Sequence, residues 1–570
     1  METDRSVISF LRPYLAKYAL GLFFGLLAML GAVAAPFFLR QAVDAISRGE
    51  PYLPAVAGML LVSLFAGVSS WSQRRLSIVA SREVEADIRR ELFARLLKLD
   101  FYFYQDRSVG DLMNRLNTDL QAVRDMLGPG VNMGFRVFAF ILAAFAAMFY
   151  VNAGLAALVL LAALPAFLAA RVFLRLEELR WREAQAVYDE IVAQVEESVA
   201  GIRVIKGFGA EGLFERKFLE KNEEYIEKNL KRALVEGPMQ AVMSLLMGLG
   251  VLAVLYFGGR EVIQGRMSLG EFVQFNAYLA LLSWPVLGIA WVLGLFQRGR
   301  TSFARLLELF SERPRIAEPE GARPPEGSGV RFSGVELSLK GHRVLKGVSL
   351  EVPEGKTLGL TGRTGSGKTT LLNLVPRLID PDGGRVEVGG VATTEAKLVP
   401  LRKKIGFAPQ EPFLFSDTIF ENIAFGLDEP DRKRVEWAAQ VAGIHEEILR
   451  FPKGYDTVLG ERGVTLSGGQ RQRVALARAL AKDPEILILD DALSAVDAET
   501  EARILKNLKE VFKGRTTIIA SHRVTALAQA ERVAVLERGR VVEEGSYEEL
   551  LKKGGYLAEL ARLQRVMEEL

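Results

Sequence analysis

Lys356-Thr-Leu-Gly-Leu-Thr-Gly362-Arg-Thr-Gly-Ser-Gly-Lys368-Thr369 decides how the second half of the chain folds. The short apolar run predicts a strand, the glycine-rich stretch a tight turn, and Lys368 the start of a helix. The pattern G-x-x-x-x-G-K-[ST] holds phosphate only in that strand–turn–helix context. Its glycines let backbone N–H groups from Gly362, Arg363, Thr364, Gly365, Ser366 and Gly367 turn inward around phosphate oxygens. Lys368 then sets a positive charge on the β- and γ-phosphates, and the Thr369 hydroxyl suits Mg²⁺.

Around this stretch, short apolar runs (Thr357 to Leu360, Ile486 to Leu489, Thr516 to Ala520) alternate with helical segments. That alternation predicts an α/β domain with a mainly parallel core sheet. The second run ends in Asp490-Asp491. A carboxylate at the end of a buried parallel strand lies at the ligand edge of such a sheet. A lone acidic pair there is often only a helix cap. Beside a phosphate-cradling turn, Asp490 suits a water-mediated Mg²⁺ contact, and Asp491 suits orienting or deprotonating an attacking water.

The first half reads differently. The chain has 570 residues, 50% of them apolar, with a formal net charge of +3. That length asks for more than one domain, and the charge balance argues against a nucleic-acid binder. No cysteine is present, so disulfides, thiol chemistry and Cys-based zinc sites are excluded. Five stretches lack Asp, Glu, Lys and Arg: Tyr18 to Leu39, Pro51 to Gln73, Val137 to Ala170, Gly237 to Gly259, and Phe272 to Gln297. A membrane-spanning helix needs about 20 apolar residues. The third stretch is too long for one span and carries Asn152-Ala-Gly154 near its middle, so it predicts two helices and six spans in all.

The segment Arg74 to Arg136 carries 11 basic residues and Arg171 to Glu236 carries 12. By the positive-inside rule both face the cytoplasm, with the N-terminus on the same side. Leu76 to Leu99 and Trp181 to Asn229 predict helices that run on past the bilayer. A Pro- and Gly-rich segment at 311–330 predicts a linker. The expected organisation is a six-helix membrane domain over 1–310, that linker, and an α/β P-loop ATPase domain over 331–570. Polar candidates for facing a cargo inside the bundle are Asn132, Arg136, Gln240, Gln274, Asn276 and Trp284.

With these residues in view, the chain resembles the ATP-binding cassette (ABC) exporters, specifically half-transporters that fuse six membrane helices to one nucleotide-binding domain. Leu466-Ser-Gly-Gly-Gln470 matches the family signature, which other P-loop ATPases lack. In family order, Gln410 resembles the Q-loop glutamine, Gly460-Glu-Arg-Gly463 the exporter X-loop, Ser494-Ala-Val-Asp497 the D-loop, and His522 the switch histidine. The resemblance implies ATP and Mg²⁺ as ligands, with Thr369, Gln410 and Asp490 toward the metal. It implies nucleotide contacts from Gly362 through Thr370. It further implies that Ser467, Gly468, Gly469, Gln470 and Asp497 serve a facing site in a second half-transporter. Coupling helices are implied near Phe103 to Leu112 and Ile205 to Gly212. The implied cargo is amphipathic or apolar: drugs, lipids or peptides. The implied location is the inner or plasma membrane, with the ATPase domain cytoplasmic.

Two positions depart from the family pattern. The catalytic position normally holds Glu, and here it is Asp491, one methylene shorter. General-base catalysis is worth about 10²–10⁴-fold, so a withdrawn carboxylate predicts slow hydrolysis. The adenine-stacking aromatic falls on Leu339, and base–aromatic stacking contributes about 1–3 kcal/mol. A weakened P-loop half beside an intact signature predicts a heterodimer whose partner carries the competent base. The alternatives are a homodimeric exporter or flippase in which Asp491 works, and an ABC protein that regulates a channel.

Overall fold

The computed structural model describes residues 7–460, 463 and 465–569. It divides into two compact units, 1–97 with 109–312 and 98–108 with 313–570.

The first unit is helical. Its long helices are α1 (Leu15–Arg48), α2 (Leu53–Leu96), α3 (Val131–Val151), α4 (Ala153–Ala200), α5 (Glu211–Ile263) and α6 (Leu269–Ser311). Among the described residues, Ser9–Arg48, Leu53–Leu96 and Val109–Val151 are long and apolar enough to cross a membrane. The other three expected spans fall on α4, α5 and α6, where some side chains lie outside the described set. The third charge-free stretch breaks where Asn152 predicts. Asn152 leaves helical geometry, and its side-chain oxygen accepts from Leu155 N at 3.0 Å to start α4. Between α2 and α3 the chain passes through two π-helical turns, Arg115–Asp119 and Met126–Gly130, the second containing Pro129. Buried Asp119 accepts hydrogen bonds from Ser302 Oγ (2.8 Å) and the Arg305 guanidinium of α6.

The second unit holds two sheets. β1 (Val330–Leu339), β2 (His342–Val352), β4 (Gly383–Val388) and β5 (Val391–Ala392) form an antiparallel sheet in the order β2-β1-β4-β5. The larger sheet contains β3 (Thr357–Thr361), β6 (Ile405–Ala408), β7 (Ile486–Asp490), β8 (Thr516–Ala520), β9 (Arg532–Glu537) and β10 (Arg540–Gly545), ordered β10-β9-β3-β8-β7-β6. Strands β9, β3, β8, β7 and β6 pair in parallel, and β10 is antiparallel to β9. Every residue of β3, β7 and β8 is buried, as strands covered on both faces require. The expected runs and the mainly parallel sheet are both present.

The segment 98–108 lies between helices of the first unit in the chain but belongs to the second. It contains the short helix Phe101–Gln105. Tyr102 Oη donates to the Asp380 carbonyl (3.2 Å) and accepts from its N–H (3.3 Å). The Arg315 guanidinium lies 5.1 Å from the Tyr102 ring centroid, and the Asp100 carboxylate accepts from the N–H groups of Arg315 and Ile316.

Candidate functional site

Four neighbouring parallel strands, β3, β8, β7 and β6, end at one edge of the large sheet. The turn Gly362–Gly367 follows β3, Asp490 ends β7 with Asp491 beyond it, His522 lies just past β8, and Gln410 just past β6. Residues scattered over more than a hundred positions of sequence therefore share one edge. Hydrogen bonds continue between the strand ends: Ser521 N donates to Leu360 O (3.0 Å), and Asp491 N to Ala520 O (2.8 Å).

The turn needs its glycines. Gly362 has φ +145°, and a Cβ there would collide with the Leu536 carbonyl. Lys368 is nearly buried and donates to Gly362 O (2.7 Å) and Arg363 O (3.3 Å), with His522 Nε2 3.2 Å away. Burial pulls the Lys368 pKa down, against the pull of the Asp491 and Asp490 carboxylates. Burial and then the Lys368 charge push His522 below its ordinary value, opposed by Asp491. The imidazole is thus neutral at pH 7, and Lys368 Nζ lies where it can donate to Nε2. Burial lifts the Asp490 pKa, while a hydrogen bond from Thr369 lowers it.

Among the described residues, three buried oxygens here have no protein partner: Thr361 Oγ1, Ser366 Oγ and Asp490 Oδ2. Buried polar groups are normally satisfied. Hard oxygen donors left open beside a lysine in a glycine-rich turn fit a phosphate chain with its Mg²⁺.

Asp491 is half-buried and holds a left-handed backbone, φ +48°. Gln410 is exposed, and Leu339 is partly buried against the core of the unit, opposite His342 in the β1–β2 hairpin. Ser467 caps the helix α8 (Gly468–Ala481) in a capping box. Its Oγ accepts from Gln470 N (3.3 Å), and its N–H donates to Gln470 Oε1 (2.9 Å). The Gln470 amide also donates to Glu447 (2.9 Å), so the side chain expected at a nucleotide is spent on holding the helix start. Asp497 caps the helix Ala498–Phe512 by accepting from Thr500 N at 2.9 Å. Glu461 and Arg462 of the expected X-loop lie outside the described residues.

Among the cargo candidates, Gln274 donates to Tyr278 Oη (3.2 Å) on its own helix, and Tyr278 donates across to Val33 O (2.9 Å); among the described residues Gln274 Oε1 is buried without a partner. Asn276 bonds within its own helix, to Phe272 O. Among the described residues, Asn132 Oδ1 is buried without a partner, and Arg136 is exposed. The side chains of Gln240 and Trp284 lie outside the described set. Sequence reasoning passed over Gln73, which is buried with both amide atoms unpartnered among the described residues. Its only signal was its place at the end of a charge-free stretch.

An apolar helical unit joined in one chain to an α/β unit with this strand-edge site defines an ATP-driven membrane transporter. Residues 18–286 match the pattern described as the ABC transporter transmembrane region, and 345–494 match that described as ABC transporter. The chain belongs to the ABC transporter family. It is 34% identical to the multidrug resistance-like ATP-binding protein MdlA of Escherichia coli (strain K12), covering 90% of this chain and 87% of that one. It is 32% identical to an ATP-dependent lipid A-core flippase of Chromohalobacter salexigens, covering 98% and 97%. A solved bacterial Atm1-family ABC exporter with ATP bound matches at TM-score 0.78 and 28% identity, over 98% of this chain and 99% of that one. The chain is an ABC exporter: a helical membrane region followed by an ATPase domain that uses ATP with Mg²⁺ and couples hydrolysis to transport.

Proposed function

We propose that this chain is one half of a heterodimeric exporter of amphipathic or apolar molecules (drugs, lipids or peptides) and that its own ATP site hydrolyses slowly. The observation that carries this reading is Asp491 in place of the family's Glu, beside an intact Leu466–Gln470 signature. Relatives named for multidrug resistance and for lipid A-core flipping favour cargo with an apolar part.

In this reading the membrane domain spans 1–310 and the ATPase domain 331–570, at the cytoplasmic face of an inner or plasma membrane. Inward amides of Gly362–Gly367 hold the phosphates, with Thr370 in the following turn, and Lys368 neutralises their charge. Thr369, Asp490 and Gln410 hold Mg²⁺, which withdraws electron density from the phosphoryl oxygens when bound. Asp491 accepts the proton of the attacking water, from too far back for full rate. Neutral His522 supplies a polar contact at the phosphate end. Leu339 packs on the base without stacking. Ser467, Gly468, Gly469 and Asp497 face the partner's nucleotide, which is where fast hydrolysis occurs.

The test is ATP turnover by the full-length chain purified alone and with any chain that co-purifies, identified by mass. The expected result is low turnover alone and at least about tenfold more in the pair, set by the pair's stronger base. Full turnover by the lone chain overturns the heterodimer reading and leaves a homodimer with Asp491 as base.

A further inference from the structure

Beyond Ala408 and Asp490 the sheet no longer sets the spacing of the site. The last parallel pair between β6 and β7 is Ala408 with Leu489. Past it, the chain carrying Gln410 and the chain carrying Asp490, Asp491 and Ser494 go separate ways as loops. One side chain on a third element bridges them. Gln472, in the first turns of α8, is 5% exposed. Its Nε2 donates to Ser494 Oγ (2.9 Å) and to the Gln410 carbonyl (3.3 Å), and its Oε1 accepts from Ala495 N (2.8 Å). Both loops are thus held by one carboxamide. Ser494 N in turn donates to Asp491 O (3.1 Å), so the turn that begins at Asp491 closes on the residue Gln472 grips. Packing leaves no slack: a Cβ at Gly469 would stand 2.8 Å from the Ala495 carbonyl oxygen.

We propose that Gln472 is a positioning residue for the Mg²⁺–nucleotide site. It fixes the separation of Gln410 from Asp490 and Asp491, and it ties that separation to the helix that begins at Ser467. A carboxamide suits the task because it offers donors to one loop and both a donor and an acceptor to the other. An apolar side chain of equal size would remove the bonds to the Gln410 carbonyl and from the Ala495 N–H and leave the two loops untied. A carboxylate would keep the bonds from Ala495 and Ser494, since the serine hydroxyl can donate, but would lose the one to Gln410 O. The proposal rests on the assignment of Gln410 and Asp490 to the metal, and its test separates the two.

The full-length chain, with any chain that co-purifies, is photolabelled with radioactive 8-azido-ATP over a range of Mg²⁺ concentrations. Label on this chain alone is counted. Wild type is compared with Gln472→Leu, Gln472→Glu and Asp490→Asn. Gln472→Leu is expected to raise the half-saturating Mg²⁺ concentration about tenfold, the scale of one or two lost hydrogen bonds. Labelling in EDTA, which needs only the turn at Gly362–Lys368, should not change. Gln472→Glu should shift the half-saturating Mg²⁺ concentration less than Gln472→Leu, because a carboxylate keeps the bonds from Ala495 N and Ser494 Oγ and loses only the one to Gln410 O. An unshifted Mg²⁺ requirement in Gln472→Leu beside a shifted one in Asp490→Asn overturns the role of Gln472. So does an equal loss with and without Mg²⁺ in Gln472→Leu, which would mark packing alone. An unshifted Asp490→Asn overturns instead the metal assignment beneath it.

Discussion

Asp491 holds φ +48°, a backbone conformation that non-glycine residues adopt uncommonly and aspartate more readily than most. Asp491→Glu restores the missing methylene at a backbone cost of about 1–2 kcal/mol. If reach is what limits this site, the variant should raise phosphate release at least about tenfold, within the range of general-base effects. Unchanged release would show that Asp491 is not a short base. His522 makes the complementary pH prediction. Its pKa is depressed, so it is neutral in folded and unfolded chains above its ordinary pKa of about 6.5 and contributes no penalty there. As pH falls through that value, the unfolded chain takes the proton first and the folded state loses stability. The thermal midpoint should therefore drop from pH 7.5 to 5.5, and drop less in His522→Gln, with little difference between them at pH 7.5. An identical acid loss in both proteins would remove His522 from the account. At this scale the site was largely legible, because Gly362–Thr369, Asp490 and His522 each carry a local signal next to a strand. Gln472 carried none. Its partners lie 62, 22 and 23 positions away, and only the folded loops bring them together.

Among the elements, breaks forced by a local capping residue could be read, and breaks made by tertiary packing could not. Asn152 announced the end of α3 because its own side chain caps α4. Trp181 to Asn229 reads as helical from its composition, with a coupling helix implied at Ile205 to Gly212; in the structure α4 ends at Ala200, a short helix spans Ile202–Gly207, and α5 begins at Glu211. Pro129-Gly130 would predict a stop, but the chain absorbs them in a π-helical turn and stays helical. The other π-helical turn ends at Asp119, whose side chain is 2% exposed and paired with Arg305, 49% exposed. Removing one partner of a fully buried pair costs about 3–5 kcal/mol, and the half-exposed arginine lowers that to roughly 2. Arg305→Ala should lower the thermal midpoint by several degrees in detergent, and Arg305→Lys by less. A midpoint equal to wild type would mean that Ser302 alone satisfies Asp119.

For the whole molecule, the segment 98–108 is the informative piece. The chain leaves α2 at Leu96, forms Phe101–Gln105, and returns to a helix of the membrane unit at Val109, yet 98–108 belongs to the ATPase unit. The expectation of a coupling helix near Phe103 to Leu112 overlaps this segment only in part, because its register was taken from family likeness and not from the Asp100 and Tyr102 contacts that seat it. The second expected stretch, Ile205 to Gly212, carries Phe208 at 85% exposed and lies wholly in the membrane unit. If, as proposed, a second chain completes each ATP site, its identity was not legible, because its residues are not in this sequence. Among the described residues, Tyr102 makes two hydrogen bonds to the Asp380 backbone and none to the nucleotide residues named above. If 98–108 carries the motion of hydrolysis, Tyr102→Ala should leave basal ATP turnover within about twofold, because the strand-edge site is untouched. Uptake of a fluorescent amphipathic dye into inverted vesicles should fall at least about fivefold, since two bonds worth roughly 1 kcal/mol each are lost with the ring's packing. Tyr102→Phe, which keeps the ring beneath Arg315 but not the hydroxyl, should fall between. Parallel loss of turnover and uptake would instead place Tyr102 in the stability of the ATPase unit, and unchanged uptake would mean that 98–108 does not carry the coupling.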